Sequence, residues 1–103
     1  MIFKTKYRAY PDCHFVADRY QTNGNLALSV TSETEGPITT CTVNTDVTLP
    51  EDCIAVKNYS ENEGMDKTLA DMGIIGEKIG HIASGWVTIP VFRLTDKGKA
   101  LWK

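Results

Sequence analysis

Alternation of apolar and polar positions dominates the first half of the chain and predicts β-strands. Residues 2–10 alternate, so that Lys4, Lys6 and Arg8 share one basic face of a first strand. The segments 14–22, 26–33 and 38–44 alternate in the same way, and Asn23-Gly24 and Glu35-Gly36-Pro37 separate them. Asn-Gly is typical of a two-residue type I′ hairpin turn. Consecutive strands joined by tight turns pair with each other and run antiparallel, so this section predicts a meander.

The second half contains the strongest single strand pattern, over residues 85–94. It is rich in β-branched and aromatic residues, and both of its faces are mostly apolar, so we expect cover on both sides. Pro90 has no N–H to donate, which makes this strand an edge, a bulge or a strand unpaired at that point. A short strand is predicted at 54–56. Residues 74–84, with Gly76 and Gly80, are predicted as an ordered loop.

Helical periodicity appears in two short segments. Met65, Leu69 and Met72 lie at i, i+4 and i+7, and Ser60 with Glu63 has the spacing of a capping box, which together predict a helix around 61–72. A second short helix over 97–102 follows a capping residue, Thr95 or Asp96. The sequence therefore predicts an α+β fold in a single domain, 1–103, built mainly from an antiparallel sheet of about five or six strands.

The composition fits a globular domain that folds by itself. Of its 103 residues, 42% are hydrophobic and 23% are charged, which is enough apolar material for a core. No apolar run approaches the roughly 20 residues of a membrane span, and the first residues lack the apolar core of a signal peptide. The three cysteines, Cys13, Cys41 and Cys53, are widely spaced and odd in number, so we expect free thiols and a cytoplasmic location.

Charge is distributed unevenly along the chain. Residues 33–71 contain nine acidic and two basic residues, a net charge of −7, although the whole chain has a net charge of −2. An acidic surface would attract basic partners. The candidate partner-binding residues are Glu51, Asp52, Glu61, Glu63, Asp66 and Asp71. The basic residues Lys4, Lys6 and Arg8 form a candidate anion site. Ordinary solubility and edge protection are alternative explanations for both sets.

No catalytic or metal-binding motif emerges from the remaining residues. Cys13, His14, Cys41, Cys53 and His81 lack the close-spaced pairs of a zinc site. A nucleophile pair of Cys41 or Cys53 with His81 would need proximity in the fold, and no nucleophile signature surrounds either cysteine. The glycines at 76, 80 and 85 lack the Lys-Ser/Thr of a phosphate-binding loop. We therefore expect no enzyme, no cofactor and no metal.

Two blocks of sequence resemble a known family. They are Tyr20-Gln21-Thr22-Asn23-Gly24-Asn25-Leu26-Ala27-Leu28, followed by Thr42-Val43-Asn44, and Ser84-Gly85-Trp86-Val87-Thr88-Ile89-Pro90-Val91-Phe92. Together they resemble a small family of unknown function encoded on conjugative elements and phages, over roughly Tyr10 to Leu94. Trp86 departs from the family's phenylalanine after Ser-Gly, and the family's tryptophan-bearing acidic helix start is absent. The family assigns no catalytic residues. The resemblance implies a mobile genetic element in a bacterial host.

The resemblance and the acidic segment together lead to a first hypothesis, a non-enzymatic inhibitor of host defence such as an anti-CRISPR protein. Its partner would be a CRISPR effector nuclease or another defence protein, bound through the acidic surface at a nucleic-acid groove. The alternative is a nucleic-acid-associated accessory protein of the element that uses the basic face of the first strand. No membrane association is expected, and the oligomeric state is open.

Overall fold

The computed structural model describes residues 1–103 and contains eight β-strands and two short α-helices. The strands are β1 (Phe3–Lys4), β2 (Ala9–Tyr10), β3 (Cys13–Arg19), β4 (Leu26–Ser32), β5 (Gly36–Thr40), β6 (Cys53–Ala55), β7 (Ile75–Ser84) and β8 (Val87–Leu94). The helices are α1 (Met65–Asp71) and α2 (Asp96–Lys99), and 3₁₀ turns cover Ser60–Asn62 and Ala100–Trp102. All strand pairs are antiparallel, which confirms the predicted, mainly antiparallel α+β fold.

The strands form three sheets, whereas the sequence predicted about five or six strands in one meander. β1 pairs with β2, β3–β4–β5 form one three-stranded sheet, and β6–β8–β7 form another, with β8 in the centre. The meander is correct for β3–β4–β5, where neighbours in sequence are neighbours in space. A single bridge between Thr42 and Val56 connects the two larger sheets.

The predicted strand over residues 2–10 is interrupted by a turn. β1 ends at Lys4, β2 begins at Ala9, and the two strands pair with each other. The Thr5 hydroxyl oxygen accepts the N–H groups of Tyr7 and Arg8 at 3.2 and 3.3 Å, so a side chain gives this backbone an alternative to the ladder. The single basic strand face predicted for Lys4, Lys6 and Arg8 is therefore wrong.

The hairpin between β3 and β4 is present, but its loop is longer than predicted. The Tyr20 N–H donates to the Asn25 carbonyl, and the Gly24 N–H donates to the Tyr20 carbonyl. Within this loop, only Gly24 has a positive φ (74°). The turn is therefore not type I′, which requires positive φ at both central residues.

The predicted loop at 74–84 is instead the long strand β7, and its partner β8 is a central strand. β7 is irregular in its first half, with register shifts between Ile75 and Lys78 and between Lys78 and Gly80. Pro90 lies in β8 where β6 ends, and its carbonyl accepts the Val56 N–H at 3.0 Å. The proline nitrogen faces the same side and has no hydrogen to donate, so one of the two possible ladder bonds to Val56 is missing at Pro90.

The sheet containing β8 separates two hydrophobic clusters, so both faces of β8 are covered as predicted. The larger cluster includes Leu28, Ile54 and Leu69, which are fully buried, and Leu94 of β8 belongs to it. The smaller cluster consists of Cys53, Ala55, Ile89 and Val91. β8 thus contributes to both clusters, which fixes the sheet in the interior of the domain.

Helix α1 begins later than the pattern predicted, and the capping box does not form. Ser60 has a positive φ of 59° and starts a 3₁₀ turn, and Gly64, with φ of 86°, precedes the first helical residue. No side chain caps α1. Its apolar face is as predicted, because Met65 and Leu69 are buried in the larger cluster.

The C-terminal helix is capped as predicted but changes to a 3₁₀ turn after Lys99. The Thr95 hydroxyl oxygen accepts the Gly98 N–H at 3.0 Å. Gly98 is buried against the Ile74 backbone, and a Cβ atom there would lie 2.2 Å from the Ile74 carbonyl oxygen. Glycine is therefore required at this position for close packing. No helix in the fold is long and apolar enough to span a membrane.

Candidate functional site

The six candidate acidic residues fall into two groups. Glu61, Glu63, Asp66 and Asp71 lie on the segment formed by the 3₁₀ turn Ser60–Asn62 and α1, which we call the acidic segment (60–71). Glu51 and Asp52 lie in the loop before β6, where they line a different depression. The fold therefore brings four of the six together in one ordered element.

Asn62 holds the acidic segment against β5. It is 3% exposed, its side-chain amide donates to the Thr40 carbonyl at 2.7 Å, and its oxygen accepts the Thr39 hydroxyl at 2.7 Å. A buried amide with satisfied donor and acceptor fixes the local backbone in one orientation. The neighbouring residues Glu61 and Glu63 therefore lie on the surface, on a backbone that Asn62 fixes in place.

The carboxylates of the acidic segment differ in their partners. Lys57 donates a hydrogen bond to Glu61, and this bond, with backbone and Ser60 hydrogen bonds, lowers the pKa of Glu61 from 4.5 to about 2. Asp71 pairs with Lys67 at 3.1 Å. Glu63 and Asp66 form no ion pair. They are the carboxylates most available to an external partner.

Basic residues from the N-terminal hairpin lie close to the acidic segment. Lys4 and Lys6 line a shallow depression together with Glu61 and Glu63, and Lys4 also lines a cleft with Asp71. The charge separation seen along the sequence is therefore not maintained in space. The surface around α1 is an alternating pattern of charge rather than a continuous acidic patch.

Arg8 lies apart from this surface and has its own partners. Its guanidinium pairs with Glu35 at 2.7 Å and stacks over the Tyr10 ring at 4.3 Å. The three basic candidates are thus distributed as two lysines beside acids and one paired arginine. No shared anion site is formed by them.

The other acidic group belongs to a loop fixed by its backbone. Asp52 has a positive φ of 62°, and its carbonyl accepts the Leu94 N–H at 2.8 Å. Glu51 lies 3.7 Å from Arg19 across a polar depression of about 210 Å³. This arrangement stabilises the start of β6 and does not extend the acidic segment.

The motif residues of the resemblance have structural roles in this fold. The Asn25 amide is buried and donates to the Val47 carbonyl, and its oxygen accepts the Leu49 N–H. The Thr42 hydroxyl oxygen accepts the Leu28 N–H at 3.1 Å. These bonds connect the β3–β4 hairpin to the loop 42–49, so the two parts of the first sequence block contact each other.

The cysteines and histidines do not assemble into a reactive pair. All three cysteines are free and buried, and burial raises the pKa of Cys41 to about 12. Burial also raises the pKa of Cys53. His81 is exposed on β7 and forms no hydrogen bond with either thiol. No group of three or more His, Cys, Asp or Glu side chains comes together as a metal site.

Two features were not anticipated from the sequence. Asn62 lies between two glutamates in a polar stretch, and nothing in the local pattern distinguishes it from an exposed residue. Trp86, which the sequence predicts as part of the strand over residues 85–94, lies in the β7–β8 turn with its side chain fully exposed. Gly85, which adopts a positive φ of 58°, is the local signal that could have indicated this turn.

Comparison with known proteins adds no family. A scan of protein-family models gives no match, and searches of curated proteins and of solved structures give none either. The resemblance to the mobile-element family therefore stays a prediction from the quoted residues.

Proposed function

We propose that this protein is a non-enzymatic inhibitor of a bacterial host defence system, encoded by a phage or conjugative element. It acts by binding a defence nuclease, such as a CRISPR effector, at a basic nucleic-acid groove. The observation that supports this proposal best is the rigid display of Glu61 and Glu63 on either side of the buried Asn62. The sequence resemblance supports the mobile-element context.

A rigid acidic segment suits competition with nucleic acid. Carboxylates that are already ordered lose little conformational freedom on binding, so more of the electrostatic attraction contributes to affinity. Hydrogen bonds, above all the one from Lys57, lower the pKa of Glu61 to about 2, so this carboxylate is ionised at neutral pH. Glu63 and Asp66, which have no ion-pair partner within the chain, are the residues through which a basic groove gains new ion pairs.

The neighbouring lysines give this surface a second property. Lys4 and Lys6 beside Glu61 and Glu63 reduce the net charge, so attraction is limited to partners with a matching pattern. Like charges brought together at an interface disfavour wrong partners. Inhibition through this surface should therefore be selective for one effector rather than general for basic proteins.

A phage-challenge assay tests the activity. Bacteria with a defined CRISPR system are infected with a targeted phage, with and without expression of this protein, across several system types. We expect phage plating to be restored for one type. Absence of any rescue across the tested systems, with the folded protein present in the cells, would contradict an anti-CRISPR role.

A matched charge reversal tests the surface. Glu63→Lys with Asp66→Lys should reduce binding to the identified effector at least tenfold and weaken its dependence on salt. The control is Glu33→Lys with Asp46→Lys, which changes net charge equally at exposed positions outside the acidic segment. Equal losses in both double variants would indicate a nonspecific charge effect and rule out the acidic segment as the binding surface.

The alternative, a nucleic-acid-associated accessory protein, rests on Lys4, Lys6 and Arg8. These residues do not share a strand face, and two of them lie beside carboxylates, so this function has less support. A gel-shift series at low salt would detect it, since phosphate contacts are strongest there.

A further inference from the structure

The outer strands of the two larger sheets differ in what covers their free backbone edges. At β3, the Cys13 N–H donates to the Met1 carbonyl and the Met1 amino group donates to the Cys13 carbonyl, both at 2.8 Å. At β5, Asn62 donates to the Thr40 carbonyl. At β6, the Val43 N–H donates to the Ala55 carbonyl at 3.1 Å. The remaining outer strand, β7, has no such partner.

The orientation of the free groups on β7 follows from its register. The two-residue turn Gly85-Trp86 makes Ser84 and Val87 a hydrogen-bonded pair, and such pairs alternate with non-bonded pairs along an antiparallel ladder. Ile82 is then bonded to β8, whereas His81 and Ala83 direct both N–H and C=O outward. The bond from Val56 to Pro90, opposite His81, agrees with this alternation, because it shows that Pro90 faces away from β7.

The first and second halves of β7 are protected to different degrees. Glu77, Lys78 and two register shifts disturb the half before Gly80, and charges and bulges are the usual means of preventing strand addition. The half from Gly80 to Ser84 has regular register and contains no charged residue and no proline. It is therefore a short edge that is open to another strand.

We propose that the exposed edge of β7 pairs with the same edge of a second copy of this chain, antiparallel and centred on Ile82. In this register His81 lies opposite Ala83 of the second copy, and the outward groups of the two residues exchange both hydrogen bonds. The same exchange occurs on the other side of the two-fold axis. The two sheets join into one continuous six-stranded sheet.

The position of Trp86 favours a second copy over an unrelated strand. A two-fold interface must be complementary to itself. Pairing centred on Ile82 brings the Gly85-Trp86 turn of each copy beside Lys78 and Ile79 of the other. Ile79 is 36% exposed and Trp86 is fully exposed, so each supplies apolar surface for the other, and Lys78 can stack on the indole.

Sedimentation or light scattering measures the assembly. We expect the wild-type chain to dimerise at concentrations up to about 200 µM, a range that detects micromolar Kd values. Ala83→Pro removes one outward N–H without touching the β8 ladder, and it should raise Kd at least tenfold. Ala83→Ser changes the side chain and keeps the N–H, so it should dimerise as the wild type does. A wild-type chain that is monomeric throughout, or an unaffected Ala83→Pro variant, overturns the proposal.

A disulfide test checks the register. Non-bonded antiparallel pairs have Cα atoms about 4.5 Å apart, within disulfide reach, so Ile82→Cys should form an intermolecular disulfide on oxidation. Ser84→Cys lies on the same face but four residues from its equivalent, about 14 Å at about 3.4 Å per residue, and should not. The native cysteines are buried and can be blocked during denaturation before electrophoresis. Cross-linking of Ser84→Cys without Ile82→Cys would exclude this register.

Discussion

The sheet β3–β4–β5 and the sheet β6–β8–β7 are both three-stranded and antiparallel, but only in the first does a distant residue bond to each outer strand. These residues are Met1 at the start of β3 and Asn62 at the end of β5. The second sheet is buried on both faces around β8 and leaves β7 uncovered. In this fold, the faces of a sheet and its edges are thus covered by different parts of the chain. We expect contact with another chain at the uncovered edge of β7.

The largest expected effect is on stability. It compares the chain at Ile74, just before β7, with Gly80 in the middle of β7. Gly98→Ala would bring a Cβ within 2.2 Å of the Ile74 carbonyl oxygen, so we expect a loss of about 3 kcal/mol in the free energy of unfolding. Gly80→Ala meets no atom within 4 Å and should change stability by less than about 1 kcal/mol. Urea denaturation measures both. Equal effects on stability would mean that the chain at Ile74 is no more tightly packed than at Gly80.

A covered edge can be opened at β5. Asn62→Ala leaves the Thr40 carbonyl and the Thr39 hydroxyl without their partner, which should cost about 2 kcal/mol. Asn44→Ala removes an exposed amide hydrogen bond to Thr22 and should cost less than about 0.5 kcal/mol. Urea midpoints measure the loss of stability in each variant. If Asn62→Ala is as mild as its control, Asn62 does not anchor the acidic segment.

The two tryptophans provide a smaller and more direct comparison. Trp102→Phe keeps an aromatic ring and removes the indole N–H that donates to Asp18, so we expect a loss of about 1 kcal/mol or less. Trp86→Phe changes a fully exposed turn residue and should leave the unfolding free energy of the monomer unchanged. Urea denaturation measures both variants. Equal effects would show that the indole bond to Asp18 does not contribute to stability.

The smallest expected effect concerns the pH dependence of the acidic segment. The pKa of Glu61 is lowered in the folded state, mainly by Lys57, so the unfolded chain binds this proton first as the pH falls. Its contribution is present above a pH of about 4.5 and is lost as the pH falls towards 2. Glu61→Gln should therefore show a smaller loss of stability over that window. In a Lys57→Gln background, the further substitution Glu61→Gln should change this pH dependence little.

Local patterns predicted the strands that are half-buried and failed where distant contacts decide. β4 alternates because Leu26, Leu28 and Val30 face the core, and its period of two is visible in the sequence. β7 was missed because an edge strand with bulges, two glycines and solvent on one side has no clear period. The capping box failed because Ser60 and Gly64 adopt positive φ, which delays the helix.

The candidate site shows the same limit. The carboxylates of the acidic segment could be grouped from the sequence, since residues close together along a short segment are close in space. The lysines beside them come from the β1–β2 hairpin, and only the turn at Thr5 and the packing of that hairpin on α1 bring them there. No local pattern contains that information, so the sequence could not decide whether its uneven charge is also separated in space.

The bond between Trp102 and Asp18 also affects the order in which the chain becomes structured during its synthesis. The two residues are 84 positions apart, and a ribosome needs about 4 to 17 s for that length at about 5 to 20 residues per second. During this time β3 and β4 can pair, but β3 lacks its contact with the Ala100–Trp102 turn. The hairpin can therefore form early, and its bond to Trp102 is among the last contacts of this sheet to form.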